Sequence, residues 1–323
     1  MVKPDSIVWL ITGRCNLNCP YCYASLYRNE RELSLVEIEK IVKDASENSI
    51  EYINITGGEP LLLKNLVEIV KLVKDYGIEV SVFSNLHLLN QDLATKLSRY
   101  VDYFLTTIDG PREVYETIKG ANTWSKFVNN IKILREIGVE IHVNIPVSKI
   151  NYRRIDEAIE KTLELDIHSI SIIPVIATGR AFESKTYVSS IEFKEALILA
   201  NNVCKKYSLT ITVWCSPFIG VFRDLSNIRF GNCRDWNVID LTPSGNVVLC
   251  DVTGLVITNI IRDGVVESWR KLCRFRESNR INQIPFDCSK CWFSNNCRGG
   301  CYARSYLISN SFNKPDPLCP INA

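Results

Sequence analysis

Methionine and histidine are scarce in this chain of 323 residues, which has one Met and three His. So few histidines leave little for an imidazole-based metal site, and His87, His142 and His168 fall at no ligand spacing. They read as structural. Net charge is nearly absent as well, at +2, which argues against a general electrostatic grip on nucleic acid or on an anionic membrane. No apolar run comes near the length that crosses a bilayer. The start, Met1-Val2-Lys3-Pro4-Asp5, lacks the apolar core of a signal peptide. There is no repeat period and no low-complexity tract. The expectation is a cytoplasmic protein that partners neither nucleic acid nor membrane.

Cysteine is missing from one long stretch, between Cys22 and Cys204, although the chain holds 13 of them. Three fall together as Cys15, Cys19 and Cys22. The rest are Cys204, Cys215, Cys233, Cys250, Cys273, Cys288, Cys291, Cys297, Cys301 and Cys319. A disulfide framework fits poorly with a long chain, an odd count and no export signal. Clustered cysteines in such a chain point to metal.

Between the two cysteine-bearing ends, strand and helix signals alternate. Apolar, β-branched runs predict strands at Ser6–Thr12, Tyr52–Thr56, Glu79–Ser84, Tyr103–Ile108, Glu140–Pro146 and Ser169–Pro174. Helices are predicted from Ser34, which opens a capping box with Glu37, to about Asn48, and from Leu66 to a C-cap at Gly77. Others are predicted over Gln91–Leu97, Trp124–Ile137 and Arg154–Leu165. Nearly continuous apolar strands suit a parallel sheet covered by helices. Six units are too few for a closed eight-stranded barrel, so an open partial barrel is expected, with functional loops at the C-terminal strand ends. After about Gly179 the character changes. Ser190–Tyr207 reads as a helix and Thr210–Trp214 as a strand, and from Cys215 onward turns and short segments dominate. The expected division is a core at 1–185, a bridge at 186–214 and a cysteine-rich unit at 215–323.

Cys15-x3-Cys19-x2-Cys22 follows the first predicted strand directly. Three thiolates can hold three irons of a [4Fe–4S] cluster and leave the fourth open, and an open metal position marks a catalytic site. Zinc is the alternative, but three cysteines without a local histidine make an incomplete tetrahedral site. The triad, with Tyr21 before its third cysteine, resembles the signature of the radical S-adenosylmethionine (SAM) superfamily. That resemblance implies a partial (β/α)6 barrel, in agreement with the six units. It also implies that a reduced cluster cleaves SAM to methionine and a 5′-deoxyadenosyl radical, which abstracts hydrogen from the substrate. An external one-electron donor of the ferredoxin or flavodoxin kind is then expected.

Further segments resemble the family's cofactor motifs. Gly57-Gly58-Glu59-Pro60 ends the second strand: its glycines admit close backbone approach to a ligand, and Glu59 could pair with the methionine ammonium. Ser84-Asn85-Leu86 stands where the family has Thr-Asn-Gly. Thr107-Ile108-Asp109-Gly110-Pro111 resembles Ser-Leu-Asp-Gly-Pro. Lys119-Gly120 replaces Arg-Gly, and a lysine lacks the planar fork that grips a carboxylate. Gly179-Arg180-Ala181 resembles a segment near the cofactor. The resemblance therefore implies Tyr21, Gly57, Gly58, Glu59, Asn85, Thr107 and Arg180 as cofactor contacts.

The last third, with Cys233, Gly245-x4-Cys250, Cys288-x2-Cys291-x5-Cys297-x3-Cys301 and Cys319, resembles the SPASM extension of such enzymes. That resemblance implies two auxiliary [4Fe–4S] clusters, three clusters in all. Cys233, Cys250 and Cys301 would bind the first auxiliary cluster, with Cys215 the best candidate for a fourth ligand or the iron left open to substrate. Cys288, Cys291, Cys297 and Cys319 would bind the second. Cys204 and Cys273 lie in helical sequence and read as small buried hydrophobes. Asp251 beside Cys250 is a candidate general base, as in relatives that oxidise a side chain.

The expected function is a maturase that oxidises, crosslinks or forms a thioether on a peptide or protein side chain. With fourteen residues before Cys15, peptide recognition is expected from a partner or from the barrel. A tetrapyrrole or haem-precursor substrate is the alternative. A zinc-bound, non-catalytic scaffold is the remote one, and metal identity separates it from the others.

Overall fold

The computed structural model describes residues 3–321. The outer limits of the two end segments, 1 and 323, lie outside that range. Eleven strands form one sheet in the order β11-β10-β9-β1-β2-β3-β4-β5-β6-β7-β8. They are β1 (Ser6–Thr12), β2 (Tyr52–Gly57), β3 (Glu79–Phe83), β4 (Tyr103–Thr106), β5 (Glu140–Val147), β6 (Ser169–Pro174), β7 (Ile211–Val213), β8 (Ile228–Phe230), β9 (Val238–Leu241), β10 (Asn246–Val248) and β11 (Val256–Asn259). From β1 to β8 every pairing is parallel, as is β1 with β9. The helices are α1 (Leu35–Glu47), α2 (Leu66–Asp75), α3 (Gln91–Leu97), α4 (Arg112–Lys119), α5 (Trp124–Ile137), α6 (Ile155–Glu164), α7 (Gly179–Glu183), α8 (Ser190–Lys206), α9 (Ile260–Ser278), α10 (Ser294–Cys297) and α11 (Tyr302–Ser309). The α/β partial barrel expected from the sequence is present.

Local chemistry explains most boundaries. Ser34 accepts from the Glu37 N–H while Glu37 accepts from the Ser34 N–H, so the capping box that starts α1 is complete. The same device, Ser189 with Glu192, starts α8. Gly138 stops α5 in the left-handed conformation, at φ 86°.

Alternation sets the two faces of the sheet. Ile7, Ile53 and Val80 stand in one register row, and Trp9, Ile55, Val82, Phe104 and Ile141 in another. These side chains are buried in the main core. The opposite face carries Asn54, Ser81, Tyr103, His142, Asn144 and Ser171. Near-continuous apolar strands were expected, yet many alternate positions on these central strands are polar. The reason is that only one face lies under helices. Polar groups on the other face satisfy one another. Tyr103 donates to the Tyr52 hydroxyl at 2.6 Å, Asn54 donates to Ser81 at 2.7 Å, and His142 bonds Ser169 and Ser171 at 2.8 and 2.7 Å.

Two further features differ from the sequence expectation. Helix α4 was not foreseen, being short and lacking a side-chain N-cap. The segment after Cys215 is also more ordered than a run of turns. Its strands β8 and β9–β11 extend both edges of the same sheet, and α9 runs for 19 residues across a kink at Gly264. Such short strands carry too little periodicity to be read alone.

Candidate active site

The loops that leave the C-terminal ends of β1 to β4 are held together by backbone contact. The Gly58 N–H donates to the Thr12 carbonyl at 2.7 Å, and the Glu59 N–H to that of Arg14 at 2.8 Å. A Cβ on Gly58 would stand 2.0 Å from the Arg14 carbonyl oxygen, and one on Gly57, at φ +141°, 2.3 Å from that of Thr12. These glycines admit the backbone just ahead of Cys15, which fixes the cysteine loop against β2.

Glu59 is fully buried. Its carboxylate accepts from Ser84 Oγ at 2.7 Å, from the Leu61 N–H at 2.9 Å and from the Asn85 N–H at 2.7 Å. Burial pushes its carboxyl up to about 7, against the pull of those donors. Asn85 is thereby aimed at the cysteine loop. Its amide lies 3.0 Å from Asn16 Oδ1 and 3.8 Å from Cys15 Sγ. Leu86, where the family pattern has glycine, adopts φ +63° and is completely buried.

A second network spans the triad and β4. Tyr21 donates to Asp109 Oδ1 at 2.5 Å. Lys119 donates to the Tyr21 hydroxyl at 2.7 Å and to Thr107 Oγ1 at 2.8 Å, and lies 3.4 Å from Asp109 Oδ2. Burial works against the Lys119 charge, but Asp109 and Cys19 outweigh it and hold the ammonium above its ordinary value. Sequence reasoning doubted Lys119 because it lacks an arginine fork. In the fold it is a buried cation within electrostatic reach of Cys19, joining Tyr21 to Thr107. Arg180 meets the triad from α7, which follows β6: its N–H donates to the Cys22 carbonyl at 3.2 Å and to Ser25 Oγ at 3.0 Å, and its guanidinium to Asn18.

Cys15, Cys19 and Cys22 are unbridged, partly exposed and within electrostatic reach of one another. Burial pushes the Cys15 thiol up to about 11 and raises Cys19. Three thiols converging at a loop end, partly open and without histidine, fit a cluster with one iron free for a ligand.

Two further cysteine groups lie beyond β7. Cys215, Cys233, Cys250 and Cys301 form one. Burial raises all four, and mutual charge adds to Cys215, Cys233 and Cys250, with Cys233 pushed to about 12. Cys215 reaches the group from the end of β7 in a left-handed conformation, φ +55°. Its carbonyl accepts from Arg304 at 2.5 Å. Cys288, Cys291, Cys297 and Cys319 line one cavity together with Ser294 and Asp316. Each group offers four thiols, the complement of a fully ligated [4Fe–4S] cluster. Cys204 is buried in α8, and Cys273 lies in α9, packed against the core.

Asp251 lies between the triad and the first of these groups. Cys250 Sγ is 3.5 Å from its Oδ1, and its side chain is hydrogen-bonded to Tyr23, the residue after Cys22. Its N–H donates to Asp240 Oδ2 at 3.1 Å. Burial raises both carboxyls, and Asp251 raises Asp240 further. Asp240 was not foreseen. The available signal was an acidic residue among the apolar positions of β9.

Residues 9–162 match the family model described as the Radical SAM superfamily. The chain carries a radical SAM domain. Such a domain takes SAM and a [4Fe–4S] cluster, and the cysteine-rich C-terminus fits a SPASM-type extension. The chain is similar to an AdoMet-dependent heme synthase of Oleidesulfovibrio alaskensis, at 24% identity over 97% of this chain and 86% of that protein. It is similar to a PqqA peptide cyclase of Bradyrhizobium diazoefficiens, at 23% identity over 99% and 87%. Among solved structures, Streptococcus suis SuiB bound to the precursor peptide SuiA shares the fold, with a TM-score of 0.80 and 16% identity over 98% of this chain and 76% of that one. No helix among the described residues is long and apolar enough to cross a membrane.

Proposed function

We propose that this radical SAM enzyme is a peptide maturase that works with three [4Fe–4S] clusters. The observation that carries the reading is the sorting of eleven cysteines into groups of three, four and four, with Asp251 between the first two groups. In this reading Cys15, Cys19 and Cys22 hold the SAM-binding cluster. Cys215, Cys233, Cys250 and Cys301 hold the first auxiliary cluster. Cys288, Cys291, Cys297 and Cys319 hold the second. When bound, the first cluster would supply the electron that cleaves SAM to the hydrogen-abstracting carbon radical, and the auxiliary clusters a sink for the electron left behind.

The chain's own residues do the rest. Glu59 holds Asn85 in place and has lone-pair capacity left for the amino group of SAM. Lys119, Tyr21 and Thr107 present a cationic, hydrogen-bonding wall. Gly57 and Gly58 fix the loop, and Arg180 buttresses it from α7. Asp251 is the general base. Burial raises both the Asp251 and the Asp240 carboxyl, so the pair is disposed to share a proton. Functionally the chain divides into a core at 1–185, a bridge at 186–214 and an auxiliary-cluster unit at 215–323. An external ferredoxin- or flavodoxin-like donor supplies the first electron.

The peptide cyclase relative and the peptide-bound SuiB structure support a peptide substrate. The heme synthase relative favours a second reading, a tetrapyrrole substrate. Anaerobic purification with iron and sulfide analysis comes first, and about 12 of each per chain are expected. Zinc in place of iron would remove the reading. Reduced enzyme with SAM is then offered candidate precursor peptides or a haem precursor. A mass loss on a peptide, matched by 5′-deoxyadenosine, supports the maturase. Turnover of the tetrapyrrole alone refutes it.

A further inference from the structure

Four arginine nitrogens are among the buried polar atoms that find no partner; one, Nε of Arg180, is at the triad, and the other three are Nη1 of Arg234, Nε of Arg276 and Nη1 of Arg304. Leaving a buried donor unpaired costs about 1–3 kcal/mol, and more for a charged group. Arg234, Arg276 and Arg304 are all within electrostatic reach of Cys233 or Cys301. This repeated cost at one place calls for an acceptor that the polypeptide does not itself provide.

Arg304 is the best placed of the three. It lies in the first turn of α11, and its side chain is 4% exposed. Nε donates to Asp316 Oδ1 at 2.9 Å and Nη2 to Asp316 Oδ2 at 3.1 Å, a bidentate clamp that fixes the plane of the guanidinium. Nη2 also donates to the Cys215 carbonyl, and the Arg304 N–H lies 3.4 Å from Cys301 Sγ. Two ligands of the proposed first auxiliary cluster therefore touch this one residue. Asp316 in turn lines the cavity of the second cysteine group. It accepts from the Cys301 N–H at 2.8 Å and from the Leu318 N–H, beside Cys319, at 2.9 Å. One buried ion pair thus fastens the two cysteine groups to each other.

We propose that Arg304 sets the reduction potential of the first auxiliary cluster, donating Nη1 to one of its sulfurs while Asp316 holds the guanidinium at the required angle. Reduction adds one negative charge to a cluster. A fixed cation and an N–H···S bond stabilise the reduced state more than the oxidised one, so the potential rises. Arg304 is a positioning and tuning residue. This inference rests on the three-cluster reading above.

The test uses the full chain in a C15A/C19A/C22A background, reconstituted without oxygen, so that only the two auxiliary clusters remain, with about 8 irons expected. About 4 irons in that background would refute the three-cluster reading itself. With 8 irons present, potentials are titrated with EPR detection for the background, R304Q and R304K. R304Q should lower one of the two couples by about tenfold in its reduction equilibrium, about 59 mV for one electron, and leave the other in place. R304K keeps the charge but loses the planar fork, so it should shift the same couple by a smaller, nonzero amount, less than half of the R304Q shift. No shift in R304Q at full iron overturns the proposal, as does an equal shift of both couples. A full shift in R304K overturns it too. If R304Q fails to load iron, R304K decides alone: a partial shift of one couple supports the proposal, and none refutes it.

Discussion

Replacing Lys119 by Met tests the buried network at the triad. The wild-type ammonium bonds Tyr21 and Thr107 and faces Asp109 at 3.4 Å, with both charged side chains almost wholly buried. Met matches the length of the lysine stem and keeps its packing, but it leaves the Asp109 carboxylate buried without its cation. Breaking a buried pair from one side costs about 3–5 kcal/mol. At about 2–4 °C per kcal/mol for chains of a few hundred residues, the anaerobic protein should melt roughly 6–20 °C lower. Neutralising both partners is a different perturbation, because the K119M/D109N protein has no stranded charge. It should recover at least half of the loss, as replaced buried pairs often do. Differential scanning calorimetry of wild type, both single variants and the double variant closes the cycle. A K119M shift below about 2 °C, or a double variant no better than K119M, would show that the pair is not electrostatically coupled as argued.

Gly58→Ala places a methyl 2.0 Å from the Arg14 carbonyl. The cysteine loop must move, and iron analysis should show a loss of about 4 irons per chain. Leu86→Gly relieves a left-handed leucine, worth about 1–2 kcal/mol, but deletes a fully buried side chain worth about 2–5 kcal/mol. A net destabilisation of about 1–3 kcal/mol is expected, and a more stable L86G in denaturant titration would show that strain dominates. Burial holds His142 down to about 4 from 6.5, so it folds neutral. The unfolded state binds the extra proton, so this contribution is complete above pH 6.5 and is lost as pH falls toward 4, up to about 3 kcal/mol. A H142N protein should lose less stability than wild type between pH 6.5 and 4, measured by urea midpoints at each pH.

What could be read from the sequence alone is local. Apolar runs, capping boxes and glycine stops act over a few residues. They therefore marked β1 to β6 and most of their helices within a residue or two. Cysteine spacing marked the triad in the same way, because Cys15, Cys19 and Cys22 share one loop. Tertiary structure decided what long separations bring together. Tyr21 meets Asp109 across 88 residues and Lys119 across 98. No periodicity encodes such a meeting. It arises because parallel strands deliver all their C-terminal ends to one edge of the barrel. The same geometry carries Cys215 from the end of β7 to Cys301, where Arg304 holds its carbonyl. The antiparallel β9–β10 hairpin, a shorter-range device, lays Asp240 beside Asp251. Spacing along the chain names the atoms able to hold a cluster. The folded sheet decides which of them share one, because distance in space follows strand order and not residue number.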